Sequence, residues 1–99
     1  MNMKINNNSS DLSTIRAQID RVNSQIIKLL AKRYKLSKQV AHYKKLHKLP
    51  ILDAEREEEM FKSIIKQAQE ANLPPDYVVQ VFRLIVDHTY QQEDRILQD

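Results

Sequence analysis

Glycine, cysteine and tryptophan are all absent from the chain, and proline occurs only at Pro50, Pro74 and Pro75. Without glycine no Gly-rich loop can cradle a phosphate, and tight hairpins are disfavoured. Without cysteine there is no disulfide framework, thiolate nucleophile or thiolate metal ligand. Two phenylalanines leave few platforms for stacking a nucleic-acid base. No apolar run approaches the roughly 18 residues of a membrane span, and the polar opening MNMKINNNSS lacks the apolar stretch of a secretory signal. A cytoplasmic protein with no membrane partner is expected.

What the chain does contain is helix-forming sequence. Its 99 residues imply one domain with a modest core. Sixteen basic residues against thirteen acidic ones give a formal charge of +3, which favours anionic partners without choosing between nucleic acid and a small carboxylate or phosphate. The prolines cut the sequence into three helical segments, so the fold class is all-α. Residues 1–10 are expected to be a flexible N-terminal segment and 11–99 a single helical domain. The first helix starts at a cap on Asp11 or Ser13 and runs to about Lys45. Residues 45–52, KLHKLPIL, form a linker, because Pro50 disfavours helix at Leu49. The second helix starts near Asp53, carries Met60, Phe61, Ile64, Ile65 and Ala68 on one face, and stops before Pro74. Pro75 and Asp76 suit the first turn of the third. Its stripe runs Val78, Val81, Phe82, Ile85, Thr89, Glu93 and Ile96.

The first helix has an apolar seam at Leu12, Ile15, Ile19, Val22, Ile26, Leu29, Leu36, Val40 and Tyr43, stepping by threes and fours except at Arg33. Such a helix is roughly 50 Å long at about 1.5 Å per residue. A compact chain of this size has a radius of gyration of only about 13 Å. Two shorter helices cannot cover the first, and dimerisation through its apolar face is the simplest solution.

Arg33, Thr89 and Glu93 interrupt otherwise apolar faces. Each has an ordinary reading: a seam arginine that sets coiled-coil register, a threonine bonded to its own helix, a glutamate solvated at a frayed end. A buried guanidinium nevertheless needs an anion, supplied by Glu93 or by a bound carboxylate in bidentate geometry. Lys44 lies eleven residues beyond Arg33, close to three full turns and about 16 Å along the same side. Arg16 is roughly 42 Å from Lys44 and can join them only from an antiparallel partner helix. A dimer would therefore carry two equivalent sites.

In DAERE, Asp53 is a good N-cap, and Arg56 is out of place at the positive end of a helix unless an anion is near. Glu57 can accept from a hydroxyl, although a solvated turn in a charge run explains both Arg56 and Glu57 as well. His42, His47 and His88 have neither metal-ligand spacing nor a nucleophile to activate, so no metal site is expected.

The stretches LSTIRAQID (12–20), LLAKR (29–33), VAHYK (40–44), LPILDAERE (49–57) and FRLIVDHTYQQE (82–93) together resemble the all-helical AroQ class of chorismate mutase, over residues 11–97. The resemblance implies an intertwined homodimeric helical bundle with a very long first helix. It also implies cofactor-free isomerisation of chorismate to prephenate, the shikimate-pathway step toward phenylalanine and tyrosine. Position by position, Arg16 is similar to the arginine lent by the other subunit to one carboxylate, and Arg33 to the arginine on the second. Lys44 matches the lysine touching a carboxylate and the ether oxygen. Asp53 and Glu57 match residues orienting the substrate hydroxyl and the loop, Arg56 a supporting arginine, and Thr89 a serine. Glu93 departs from the bacterial pattern, where glutamine donates to the ether oxygen; an ionised glutamate has acceptors only. Fungal members carry glutamate that acts when protonated, so activity is expected to rise toward acid pH. Isochorismate pyruvate lyase on the same fold is the nearest alternative. The Lys44, Lys45, Lys48 cluster allows another class, a basic helical dimer that binds nucleic acid or a protein helix. On the mutase reading the partners are a small dicarboxylate and a second copy of the chain, not nucleic acid.

Overall fold

Residues 11–99 are described by a computed structural model, and they form three helices and no strand: α1 (Leu12–His47), α2 (Ala54–Glu70) and α3 (Pro75–Gln98). The expected flexible segment 1–10 lies outside the described residues. The chain divides into two compact units, the first ending at Lys35 and the second running from Leu36 to Asp99.

The helix ends follow from local chemistry. Asp11 caps α1, its Oδ1 accepting from the Thr14 N–H at 2.9 Å and the Ser13 hydroxyl at 3.0 Å. Those bonds, the Thr14 backbone N–H first, hold the Asp11 carboxyl below its ordinary range. At the other end Lys48 takes a left-handed conformation, φ 55°, and the Leu49 N–H reaches back to the Lys44 carbonyl at 2.8 Å. This is the turn that glycine usually closes. Pro50 constrains only the residue before it, so α1 continues two residues past the expected Lys45 before that turn. Asp53 caps α2, its Oδ1 accepting from the Arg56 N–H at 3.1 Å. The far end of α2 repeats the left-handed device at Asn72, φ 59°, with the Leu73 N–H on the Ala68 carbonyl at 2.9 Å. Pro75 opens α3, where its missing N–H costs no bond.

α2 and α3 pack together as a helical hairpin. Ile64, Ala68 and Val86 are buried there, and Met60, Phe61, Val78, Phe82 and Ile85 are half-buried. Ile65 and Val81 belong to the same stripes by spacing but are exposed. α1 departs further from expectation. In the first unit the seam residues Ile15, Ile19, Val22 and Ile26 are each about half exposed. In the second unit Leu36, Val40 and Tyr43 are exposed too, while Ser37 and Ala41, one residue further along, are buried. Small side chains thus stand where the helix is covered and large apolar ones where it is bare, the reverse of ordinary sorting. Among the described residues no helix is long and apolar enough to cross a membrane.

Candidate active site

Lys44 follows Ala41 on the covered side of α1, and its side chain is 15% exposed. Its Nζ donates to the Ile51 carbonyl at 2.6 Å and to the Glu93 carboxylate, 2.9 Å from Oε1 and 3.2 Å from Oε2. Glu93, near the end of α3, is only 2% exposed, and Gln92 beside it is also buried. A buried carboxylate is tolerated only when paired, and the ammonium pairs it. The expectation of a glutamate solvated at a frayed end is therefore corrected: α3 continues to Gln98, and Glu93 lies in its interior. The Glu93 carboxylate is paired with Lys44.

A second cluster lies between α2 and α3. Glu57, in the first turn of α2, accepts from Arg83 Nη1 at 2.7 Å through Oε1, and its Oε2 accepts from the Tyr90 hydroxyl. Hydrogen bonds from Tyr90 first and Arg83 second hold the Glu57 carboxyl below its ordinary range. Burial, then the bond to Glu57, pushes the Tyr90 phenol up to about 12, and the charge of Glu93 adds to the effect. Tyr90 therefore feels both carboxylates. The solvated-turn reading of Glu57 is corrected by these contacts.

Arg56 is exposed at the start of α2 and lines a cavity of about 520 Å³ with Glu59, Met60, Ile64, Val78 and Phe82. Asp53 acts as the helix cap described above. Thr89 is half-buried and donates to the Ile85 carbonyl at 3.0 Å, the back-bond to its own helix. Arg16 is exposed and Arg33 half-buried on the part of α1 within the first unit.

The second unit thus joins Lys44 to Glu93 and sets Glu57 near them through Tyr90. Sequence reasoning overlooked the Ile51 carbonyl, Arg83 and Tyr90. A signal for the last two existed: Val79, Arg83, Val86 and Tyr90 step by four, three and four, a second stripe along α3.

The arrangement supplies a fixed cation, a buried carboxyl group and a hydroxyl-accepting carboxylate. It offers polarisation and positioning rather than a nucleophile. Comparison with known proteins points the same way. The family model described as "Chorismate mutase type II" matches residues 15–94. The chain is 32% identical over 88 residues to a chorismate mutase of Methanocaldococcus jannaschii, covering 89% of each protein. It is 36% identical over 85 residues to the T-protein of Enterobacter agglomerans, covering 86% of this chain but 23% of that one. To a bifunctional chorismate mutase/prephenate dehydratase of Aquifex aeolicus it is 33% identical over 89 residues, 87% of this chain and 25% of the relative. The chain thus spans about a quarter of the two longer relatives and most of the archaeal one.

Proposed function

This chain belongs to the type II chorismate mutase family, and we propose that it converts chorismate to prephenate in the cytoplasm, as a step of aromatic amino acid biosynthesis. The observation that carries the reading is the Lys44 ammonium held at 2.9 Å from the buried Glu93 carboxylate and at 2.6 Å from the Ile51 carbonyl. The reaction is a [3,3] rearrangement. The ether C–O bond breaks as a C–C bond forms, and no atom enters or leaves. It needs no nucleophile, cofactor or metal, only a compact conformer and stabilisation of the negative charge that develops on the ether oxygen.

Residue roles follow from that requirement. Arg33, with Arg16 of a second copy, clamps the two carboxylates and selects the folded conformer. Lys44 faces the ether oxygen, with Glu93 as proton donor when neutral, so that the transition state is bound more strongly than the substrate. Glu57 and Asp53 orient the ring hydroxyl and the loop, Arg56 adds positive potential, and Thr89 contacts the substrate beside Glu93. The bare apolar seam of α1 supports the homodimer this scheme needs. Leaving Ile15, Ile19, Val22 and Ile26 half exposed forgoes burial worth about 25 cal/mol per Å².

Incubation with chorismate and direct detection of prephenate is the test, and a folded protein that forms none refutes the assignment. Isochorismate run in parallel identifies the lyase alternative through release of pyruvate and salicylate. Lys44→Ala is expected to lower kcat/KM about 10²–10³-fold, as loss of a charge-stabilising donor does. Because it also strands a buried anion, Lys44→Ala/Glu93→Gln serves as the control: stability should return while activity stays low. Near-normal turnover by Lys44→Ala would remove the ammonium from the mechanism.

A further inference from the structure

We propose that Arg83 and Tyr90 are positioning residues that hold Glu57 as a fixed acceptor for the ring hydroxyl of the substrate; this rests on the chorismate mutase reading. Glu57 begins α2, yet both its oxygens are engaged from α3, Oε1 by Arg83 at 2.7 Å and Oε2 by the Tyr90 hydroxyl. Arg83 is itself anchored on α2, its guanidinium carbon 4.4 Å from the centre of the Phe61 ring, one turn beyond Glu57. The cation therefore cannot follow a swinging carboxylate without leaving an aromatic face. Tyr90 is half-buried and within electrostatic reach of Glu93, which ties the cluster to the Lys44 pair.

The chemistry of the contacts sets the role. Both partners donate, so Glu57 remains an acceptor. A carboxylate has about four lone-pair directions, and two are taken. Either of the other two can accept the single O–H of a hydroxyl, whose position is then fixed by α3 as well as by α2. Ordinary stapling of α2 to α3 makes a different prediction. A staple acts on the fold, so its loss shows in Tm as much as in activity, whereas a positioning residue lowers kcat/KM through Glu57 with Tm held.

The experiment is a double-mutant cycle. Tyr90→Phe and Arg83→Gln are each made in the wild-type chain and in Glu57→Ala, and kcat, KM and Tm are measured with chorismate. Each single substitution is expected to lower kcat/KM about tenfold, the scale of a lost hydrogen bond to a charged group. In the Glu57→Ala background the same substitutions should cost nothing further, and with Glu57 present Arg83→Lys should keep part of the activity that Arg83→Gln loses. Equal losses in both backgrounds, or no loss in folded single variants, overturn the proposal. Should Arg83→Gln fail to fold, Tyr90→Phe, which removes one oxygen, decides alone. A wild-type chain inert toward chorismate overturns the parent reading and this one with it. An active wild type with equal losses in both backgrounds overturns this one only.

Discussion

At Lys44 the ammonium has three N–H groups, and its neighbours compete for all of them. One points to the Ile51 carbonyl at 2.6 Å, and the Glu93 oxygens lie at 2.9 and 3.2 Å. On the proposed mechanism, an ether oxygen approaching this cation must displace part of that set. Glu93→Gln weakens the competing bond and supplies an amide donor. It is expected to raise kcat/KM with chorismate at neutral pH several-fold, on the scale of one modest hydrogen bond. A fall instead would show that the carboxyl itself is required. The Glu57 cluster gives a pH prediction whose sign is fixed by its two titrations. The folded state holds Glu57 below its ordinary value of 4.5, so its contribution is present above that pH and is lost as pH falls through the folded value. The folded state raises Tyr90 from 10.0 to about 12, so its contribution is complete below pH 10 and is lost as pH climbs toward 12. Denaturant midpoints should therefore decline at both extremes, and Tyr90→Phe should abolish the alkaline decline.

At the scale of elements, two non-glycine residues close α1 and α2 in the left-handed region, Lys48 and Asn72. An ordinary side chain there costs about 1–2 kcal/mol, while asparagine is better accommodated. Lys48→Gly should stabilise by up to about 1 kcal/mol after the added freedom of the unfolded chain is deducted. That corresponds to a Tm rise of about 4–8 °C in a domain of this size. Asn72→Gly should gain less. A drop in Tm for Lys48→Gly would mean that the lysine side chain holds the turn. The same elements show what the sequence makes legible. Asp11, Asp53 and Pro75 announce their helix ends because capping is a local matter. The α2 and α3 stripes are legible because apolar spacing records burial. The covered side of α1 is not, since Ser37 and Ala41 are too small and too weakly apolar to stand out beside Leu36 and Val40. Arg83 and Tyr90 escaped notice for a related reason: a cation and a phenol on a helix read as solvated until the carboxylate they share is placed opposite them.

For the molecule as a whole, the seam of α1 is the largest unmet expectation of a single chain. Lysines at Ile19 and Ile26 should break the proposed dimer, halving the mass seen by sedimentation, and abolish turnover in the same variant. Retained activity in a true monomer would detach Arg16 from the mechanism. The proposed two-chain site also predicts complementation. Arg16→Ala and Lys44→Ala chains, each inactive alone, regain activity on mixing because each mixed dimer holds one intact constellation.

The turn after α1 has one more bearing, on engineering. Lys44 grips the following segment twice, through its carbonyl at Leu49 and through its ammonium at Ile51. The length of this turn is therefore constrained by mechanics as well as by packing. A residue inserted or deleted between Leu49 and Ile51 drags the charged tip off its mark, so grafts that splice foreign linkers here should lose catalysis long before they lose helicity.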